Sequence, residues 1–378
     1  MKNTIKNKVL VILGTRPEII RLSCIIKKLF DNFELIVVNT NQNFDKNLNK
    51  FFFKELNLRK PKYILKPLKI NNSIKFIANL LVKIEEIIDI EKPNAVLVLG
   101  DTNTSLSVFC AKRKKIPIFH IEAGNRCYDQ RVPEEINRVL VDKISDINLV
   151  YSDVAKQNLI KENYDLDKII KIGSPLFEVF QYYRDSIQKS IILDKLKLKK
   201  KNYILVSCHR QENLDQLDNL KNIFSAISIL SIKYNLKVIF STHPRIKAEI
   251  KKINKNIIKN IIFLKPFSFF EYIKLQLNAK LTISDSGSIV EEANILNFPA
   301  VNLRETTERQ EGMEKGHVIM SSLKSNEIIR SAEIVIKNFN QDVEPIIHPD
   351  YSEKNVSQKI VNIIQSYIQY VNRKNWFK

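Results

Sequence analysis

Short runs of apolar residues, separated by longer stretches with helical spacing, recur along the whole chain of 378 residues. Several runs are apolar at consecutive positions, as is typical of parallel strands that are covered by helices on both faces. The predicted strands are 9–13, 35–38, 95–99, 116–121, 147–151, 203–206, 237–240, 261–264, 281–283 and 300–303. Strands that alternate with helices in this way predict two doubly wound α/β sheets.

A polar, lysine-rich stretch around residues 181–202 separates the two sets of runs, and we place the domain boundary there. A chain of this length fits two hydrophobic cores better than one. We therefore expect an N-terminal Rossmann-like domain at residues 1–180 and a C-terminal one at 181–354. Residues 355–378 begin with apolar side chains at helical spacing, which predicts a helix that returns to the first domain. Two facing domains with a return helix describe the GT-B fold, with the active site in the cleft.

The formal net charge of +20 favours an anionic partner, although the abundance of lysine, isoleucine and asparagine is also a compositional bias. No basic stripe with interleaved aromatic residues is present, so nucleic acid is not an expected partner. No run of 18 apolar residues is present, which argues against membrane insertion. The four cysteines have neither CxxC nor metal-binding spacing, and the first apolar run is too short for a signal peptide. These features predict a cytoplasmic protein without a metal.

Charged residues occupy successive strand-to-helix joints of the first half, where ligands bind in open α/β sheets. Arg16 lies beside a predicted helix start, which would attract an anion. The acids Asp101, Glu122 and Glu134 can shift one another's pKa values, which suits general acid and base chemistry. Other interpretations remain open: Asp101 as a helix N-cap, Glu134 and Arg138 as an ordinary ion pair, and Arg16 as a surface residue at a turn.

The second half carries candidate nucleotide-binding residues at its own joints. Ser286, Gly287 and Ser288 open a helix whose free N–H groups suit a diphosphate. Glu292, one turn along, can accept hydrogen bonds from ribose, and Phe269 belongs to an aromatic group that could stack on a base. Each of these residues also fits a capping or core role. No G-x-G-x-x-G motif follows the first strand, so no dinucleotide cofactor is expected.

Together these strings resemble the non-hydrolysing UDP-N-acetylglucosamine 2-epimerase family. The resemblance rests on residues 14–18 (GTRPE), 100–102, 122–124, 133–138, 209–210, 284–292 and 306–309 (TTER). It implies the GT-B fold, a homodimer and a UDP-sugar substrate, and no cofactor. It also implies that UDP is eliminated anti across C1–C2 to give a 2-acetamidoglycal. UDP is then added back with a proton on the opposite face of C2.

The resemblance also implies roles for individual residues. It makes Asp101, Glu122, Glu134 and His209 catalytic. It assigns substrate binding to Arg16, Arg21, Arg138, His243, Phe269, Ser286, Gly287, Ser288, Glu292 and Arg309. Many members have lysine at the position of Arg21, so the charge is kept while the geometry differs.

One segment departs from the pattern of ordinary members, which resembles S-P-W-P-E-E before the helix of Glu134. Residues 125–132 read NRCYDQRV instead. They look like the branch that forms UDP-N-acetyl-L-fucosamine from UDP-2-acetamido-2,6-dideoxy-β-L-talose for surface polysaccharides. Asn125, Arg126, Asp129 and Gln130 are the polar groups expected to match the ring hydroxyls.

Three alternatives remain open: a UDP-GlcNAc/UDP-ManNAc epimerase, a GT-B glycosyltransferase and a nucleotide-sugar-binding protein without catalysis. A transferase usually needs one base and an acceptor groove, and a pure binder has no need of buried acids beside its ligand. The three acids therefore favour an epimerase.

Overall fold

In a computed structural model, the chain forms two compact α/β units. The structure describes residues 6–42, 46–66, 72–208, 210, 217–242, 246–250, 252–339 and 346–378. The first unit comprises Met1–Tyr182 and Asp350–Lys378, and the second is the continuous segment Tyr183–Pro349.

The sheet of the first unit is parallel, with strand order β3-β2-β1-β4-β5-β6-β7 in the part of the chain that the structure describes. Its strands are β1 Lys8–Leu13, β2 Glu34–Asn39, β3 Tyr63–Ile64, β4 Ala95–Leu99, β5 Ile118–Ala123, β6 Ile147–Val150 and β7 Ile169–Lys171. The strand order reverses between β1 and β4. In open α/β sheets, ligands bind at the carboxyl ends of the strands at such a reversal.

The second sheet, also parallel, has the order β10-β9-β8-β11-β12-β13 among the described residues. Its strands are β8 Tyr203–Cys208, β9 Lys237–Thr242, β10 Ile261–Leu264, β11 Leu281–Ser284, β12 Ala300–Leu303 and β13 Val318–Ser321. Here the reversal falls between β8 and β11.

Helices connect the strands and cover both faces of each sheet. In the first half they are α1 Arg16–Arg21, α2 Ser23–Asn32, α3 Lys46–Glu55, α4 Ser73–Glu91, α5 Val108–Arg113, α6 Pro133–Ile144, α7 Asp153–Lys161 and α8 Leu176–Tyr182. The helices that follow are α9 Arg184–Gln188, α10 Ile192–Lys195, α11 Leu217–Tyr234, α12 Ile246–Ile250, α13 Lys255–Ile258, α14 Phe269–Asn278, α15 Ser288–Leu296, α16 Gln310–Met313, α17 Ser325–Asn338 and α18 Val356–Trp376. No helix in the described part of the chain is long and apolar enough to cross a membrane.

The long helix α18 completes the core of the first unit, against α2. Val356, Ile360, Ile364 and Ile368 recur every four residues and are at most 1% exposed. Full burial of one such side chain is worth about 1.5–3 kcal/mol, so this stripe contributes several kilocalories per mole.

All ten predicted apolar runs form strands, and the predicted fold class of two parallel α/β sheets is confirmed. Three strands were missed: β3, β7 and β13. Each lies at the edge of a sheet.

Candidate active site

The end of β1 is a tight joint that only glycine can occupy at its first position. A Cβ atom on Gly14 would lie 2.0 Å from Oγ1 of Thr40, inside the distance that any real contact allows. Helix α1 begins directly afterwards at Arg16, with Pro17 in its first turn. Proline costs nothing there because the N–H that it lacks would have no helical partner. The guanidinium of Arg16 lies 5.1 Å from the ring centre of Phe52.

Glu18 ties this joint to the neighbouring one. One carboxylate oxygen accepts hydrogen bonds from the backbone N–H groups of Gly14 (2.5 Å) and Thr15 (2.9 Å). The other accepts from the hydroxyl of Thr102, just past the end of β4, at 2.6 Å. Glu18 is 2% exposed, and this burial raises its pKa to about 7 although its hydrogen bonds favour the ionised form. Sequence reasoning missed this role, for which the capping-box spacing of Thr15 and Glu18 is the available signal.

Asp101 is held by Arg138. Nε and Nη2 of the arginine donate to one oxygen of Asp101 at 3.0 and 2.6 Å, while Nη1 donates to Glu135 at 2.8 Å. Asp101 is not a helix N-cap, because Thr102 holds that position before a 3₁₀ turn at Asn103–Ser107. The predicted diphosphate-binding Arg138 is thus buried between two carboxylates, and it orients Asp101.

Glu122 has an unusual backbone. Its φ angle is +70°, in the left-handed region that non-glycine residues rarely adopt, and the register of β5 shifts between Ile121 and Ala123. Such a conformation costs about 1–3 kcal/mol and is typical of functional sites. Its side chain is mostly buried, with one oxygen 3.9 Å from Nε of Arg21. The structure therefore brings Glu122 and Arg21 together, although β4 lies between the strand that precedes Arg21 and the strand of Glu122.

Glu135, in the first turn of α6, is a buried acid that binds the segment after β5. It is 5% exposed and accepts hydrogen bonds from the backbone N–H groups of Cys127 and Tyr128, the shorter contacts being 3.1 and 2.9 Å. The predicted Glu134 lies in the first turn of the same helix with an exposed side chain. Glu135 forms an ion pair with Arg138 at i,i+3 spacing.

A buried charged network, which sequence reasoning missed, anchors the segment after Glu122. Asp142 on α6 accepts from Nδ1 of His120 at 2.8 Å and from Nη1 of Arg126 at 2.7 Å. Arg126 also forms two hydrogen bonds of 2.7 Å with the carboxylate of Glu162. Nε2 of His120 lies 2.9 Å from the carbonyl oxygen of Gly100, immediately before Asp101.

This network changes the interpretation of segment 125–132. Arg126, expected to match sugar hydroxyls, is 2% exposed and directs its guanidinium to two carboxylates of the first unit. Asp129 binds the exposed Arg131. Asn125 is 3% exposed, and its side-chain nitrogen has no hydrogen-bond partner among the residues that the structure describes.

In the second unit, a hydroxyl-rich joint leads from β11 into α15. The hydroxyls of Ser286 and Ser288 lie 2.9 Å apart, and Ser288 donates to one oxygen of Glu292 at 2.7 Å. The other oxygen of Glu292 accepts from Nε2 of Gln276 on α14, also at 2.7 Å. Three predicted nucleotide-binding residues are therefore linked by hydrogen bonds at the start of α15.

The segment after β12 packs against this joint. A Cβ atom on Gly287 would lie 2.3 Å from Oε1 of Glu308 and 2.9 Å from Nη1 of Arg304, so only glycine fits there without displacing these side chains. The two charged residues form an ion pair of 2.6 Å. The predicted ligand Arg309 is 3% exposed and lies 3.3 Å from the fully buried carboxylate of Glu291.

The remaining predicted residues of the second unit differ in how they are placed. Phe269 begins α14 and is 3% exposed, with its ring packed on Phe270 and Tyr183 at centroid distances of 5.6 and 6.4 Å. In this position its ring packs in the core of the second unit. His209 and His243 lie outside the described residues.

Comparisons with known proteins agree over nearly the whole chain. The family model of UDP-N-acetylglucosamine 2-epimerase matches residues 27–365. The UDP-N-acetylglucosamine 2-epimerase of Methanocaldococcus jannaschii is 37% identical over 346 residues, which are 87% of this chain and 92% of that protein. The UDP-2,3-diacetamido-2,3-dideoxy-D-glucuronate 2-epimerase of Pseudomonas aeruginosa is 32% identical over 340 residues, 89% of this chain and 94% of the relative.

Solved structures show the same likeness. The UDP-N-acetylglucosamine 2-epimerase from Rickettsia bellii superposes with a TM-score of 0.91 at 44% identity, covering 99% of this chain and all of that one. The M. jannaschii enzyme in complex with UDP-GlcNAc and UDP gives a TM-score of 0.87 at 35% identity, covering 95% and 99% of the two chains. From its matched length and its two parallel sheets, the chain belongs to the UDP-N-acetylglucosamine 2-epimerase family, a family of GT-B-like isomerases that act on UDP-sugars.

Proposed function

We propose that this protein interconverts UDP-2-acetamido-2,6-dideoxy-β-L-talose and UDP-N-acetyl-L-fucosamine at C2. The product would supply a surface polysaccharide such as a capsule or an O-antigen, and the reaction would take place in the cytoplasm. Family membership supports a UDP-sugar 2-epimerase. The observation that supports an L-configured substrate is the sequence of residues 125–132, between Glu122 and Glu134.

The proposed reaction needs proton transfer at C2 on both faces of the sugar while UDP leaves and returns. We assign proton transfer to Glu122 and Glu134, with Asp101 and His209 in support. Two features of the first unit favour this assignment. Glu122 is held in a strained backbone conformation beside Arg21, and Asp101 is fixed by two hydrogen bonds from Arg138. Positioned acids and bases of this kind typically contribute about 10²–10⁴-fold to a rate.

For UDP, we propose binding at the start of α15. This helix of nine residues begins with Ser288, and the N–H groups of its first turn favour an anion. Glu292 would accept hydrogen bonds from the ribose hydroxyls. The remaining proposed substrate contacts are Arg16, Arg21, Arg138, His243, Ser286, Gly287 and Arg309.

The anchoring of residues 125–132 supports a role in selecting the sugar. Arg126 is fixed by Asp142 and Glu162, and the backbone at Cys127 and Tyr128 is fixed by Glu135. A segment held in this way from inside presents its remaining polar groups at defined positions, as selective recognition requires. Asn125, whose buried side-chain nitrogen has no partner among the described residues, is the group best suited to meet a ring oxygen.

The alternative substrate pair is UDP-GlcNAc and UDP-ManNAc, which the names of several relatives favour. The Pseudomonas relative is named for a different UDP-diacetamido sugar, so names alone do not decide between substrates.

The deciding experiment compares kcat/KM on the two substrates. An apolar wall that faces the C6 methyl group rejects an added hydroxyl by only about 10²-fold. Recognition of the L-configured hydroxyls by fixed polar groups should raise the preference for the L-taloside beyond that value. Equal or better turnover of UDP-GlcNAc would replace our proposal with the ordinary 2-epimerase.

We also propose that the protein is a homodimer that pairs through α5 and α6. These adjacent helices expose Phe109, Ile136, Val139 and Leu140, each to between 40% and 52%. Ile136, Val139 and Leu140 share one face of α6. A patch of this kind on a soluble protein marks an interface, and a second copy can bury it about a two-fold axis.

A further inference from the structure

The carboxylate of Glu292 is held between two elements, and one of its two partners has no assigned function. We propose that Gln276 is a positioning residue for UDP binding, which holds Glu292 in the orientation that accepts the ribose hydroxyls. The proposal rests on the ribose role assigned to Glu292 above.

The hydrogen bonds around Glu292 leave room for a ligand. Ser288 donates to Oε1 and Gln276 donates to Oε2, each at 2.7 Å. An ionised carboxylate has about four acceptor sites, two on each oxygen. Each oxygen of Glu292 therefore keeps capacity for one more donor, which matches the two hydroxyls of a ribose.

Gln276 and Ser288 lie on different helices. Ser288 lies one turn before Glu292 on the same helix, so it moves with it. Gln276 lies on α14, where it is fully buried, and it fixes the carboxylate from a separate element. With both oxygens held, the long side chain of Glu292 is ordered before UDP arrives. Ordering such a side chain in advance raises affinity, because binding no longer has to immobilise it.

The burial of Gln276 indicates that its side-chain amide has a role in binding the carboxylate of Glu292. The side-chain nitrogen must face the carboxylate, because an ionised carboxylate only accepts. The other side-chain atom, Oε1, has no hydrogen-bond partner among the residues that the structure describes. If Gln276 were needed only for packing, an apolar side chain would stabilise the fold more, since a buried polar atom without a partner is destabilising. An apolar residue could not provide the hydrogen bond that Gln276 donates to Glu292.

The experiment measures the Kd of UDP by calorimetry for the wild type, Gln276→Met, Glu292→Ala and the double variant. Methionine keeps the length of glutamine without its donor. We expect Gln276→Met to raise Kd by about 5–10-fold, the cost of immobilising one flexible side chain. In the Glu292→Ala background the same change should have no further effect, because no carboxylate remains to be positioned. The melting temperature of each variant reports on folding.

Gln276→Glu gives a second readout that packing would not change. Near pH 5.5 the two facing carboxyl groups can share a proton, so that one donates to the other and UDP binds nearly as in the wild type. Near pH 8.5 both groups are charged and repel, and the Kd should rise by at least about tenfold. The wild type is measured over the same range. Charged groups on the adjoining segments include Glu291–Arg309, Glu308–Arg304, Glu271–Lys195 and Asp285 with Arg210, which are the same in both proteins.

The outcomes separate the two hypotheses. If Glu292→Ala binds UDP as the wild type does, the ribose assignment fails and the role of Gln276 fails with it. If Glu292→Ala weakens binding but both Gln276 variants bind normally at both pH values, only the positioning role is overturned. An equal loss for Gln276→Glu at both pH values, or an undiminished effect of Gln276→Met in the Glu292→Ala background, would also overturn it.

Discussion

At the scale of single residues, the acids of the first unit differ in what balances their buried charge. Asp101 is paired with the guanidinium of Arg138, and Glu122 lies near that of Arg21. Glu18 accepts hydrogen bonds from neutral groups: two backbone N–H groups and the hydroxyl of Thr102. An acid without a nearby cation in a low-dielectric interior favours its protonated form.

The raised pKa of Glu18 predicts a pH-dependent stability. Its folded pKa is about 7 against an ordinary value of 4.5, so the folded state binds the proton more tightly. The contribution of Glu18 is then greatest below pH 4.5 and is lost as pH rises towards 7. Glu18→Gln, which stays neutral, should become more stable relative to the wild type between pH 5 and 8, by up to about 3 kcal/mol. Urea unfolding at several pH values measures this difference.

The control for Glu18 is Glu305→Gln, a change at an exposed glutamate. Its stability curve should run parallel to that of the wild type. A parallel curve for Glu18→Gln as well would show that Glu18 does not titrate in this range.

For catalysis, the residue to test first is Glu122. Glu122→Gln keeps the size of the side chain and removes its capacity to take a proton. We expect hydrogen exchange at C2 in D₂O to slow by about 10²–10⁴-fold. UDP binding should persist, because the proposed nucleotide contacts lie mainly in the second unit. NMR of the sugar and calorimetry with UDP measure the two effects, and exchange at the wild-type rate would remove Glu122 from the catalytic residues.

At the scale of elements, α6 organises the sugar-side joints. Glu135, Arg138 and Asp142 follow one another at spacings of three and four, so they share one face of the helix. Glu135 fixes the segment after β5, Arg138 fixes Asp101, and Asp142 binds His120 and Arg126. The helix therefore sets the relative positions of residues from two strands.

We expect Asp142→Ala to be strongly destabilising, because it leaves Arg126 buried with one carboxylate partner fewer and removes the partner of His120. Breaking a buried ion pair typically costs about 3–5 kcal/mol. The adjacent Lys143→Ala, at an exposed position of α6 where the ammonium lies over the ring of Tyr164, is the matched control and should cost at most about 1 kcal/mol. Denaturant unfolding of both variants tests this. If Asp142→Ala lowers the free energy of unfolding as little as Lys143→Ala does, the network contributes little to the stability of the fold.

Elements also show how far the sequence determines the structure. The ten predicted strands have consecutive apolar residues because helices cover both faces of the sheet. The missed strands β3, β7 and β13 are edge strands with exposed or half-buried residues, and β3 has only two residues. They therefore lack the apolar run that identifies a central strand. Likewise, spacings of three and four both place side chains together on a helix, so the sequence alone did not single out Glu135 as a partner of Arg138.

Some residues of the candidate site could also be predicted from the sequence, and others could not. The positions of Gly14, Asp101, Glu122 and Ser286 could be predicted from the sequence because each lies within two residues of the end of a strand. The network of Arg126 with Asp142 and Glu162 could not, because it joins a loop to two helices that are distant in sequence.

At the scale of the whole molecule, the apolar face of α5 and α6 predicts the oligomeric state. The wild type should sediment as a dimer. Leu140→Glu, which introduces a charge into the face, should sediment as a monomer, because an unpaired charge at an apolar interface is costly. Ile232→Glu, at an exposed isoleucine of the second unit, is the control and should remain a dimer. A monomeric wild type, or a dimeric Leu140→Glu variant, would contradict the proposed interface.

The packing of α18 on the first unit has a consequence for synthesis on the ribosome. The second unit is one continuous segment, Tyr183–Pro349, so all of its residues have emerged before α18 is made. The first unit begins earlier but leaves the core against α2 uncovered until residues 356–376 follow. Domains usually fold in the order in which they are made. In this chain the unit that starts first should be the last to reach its final stability.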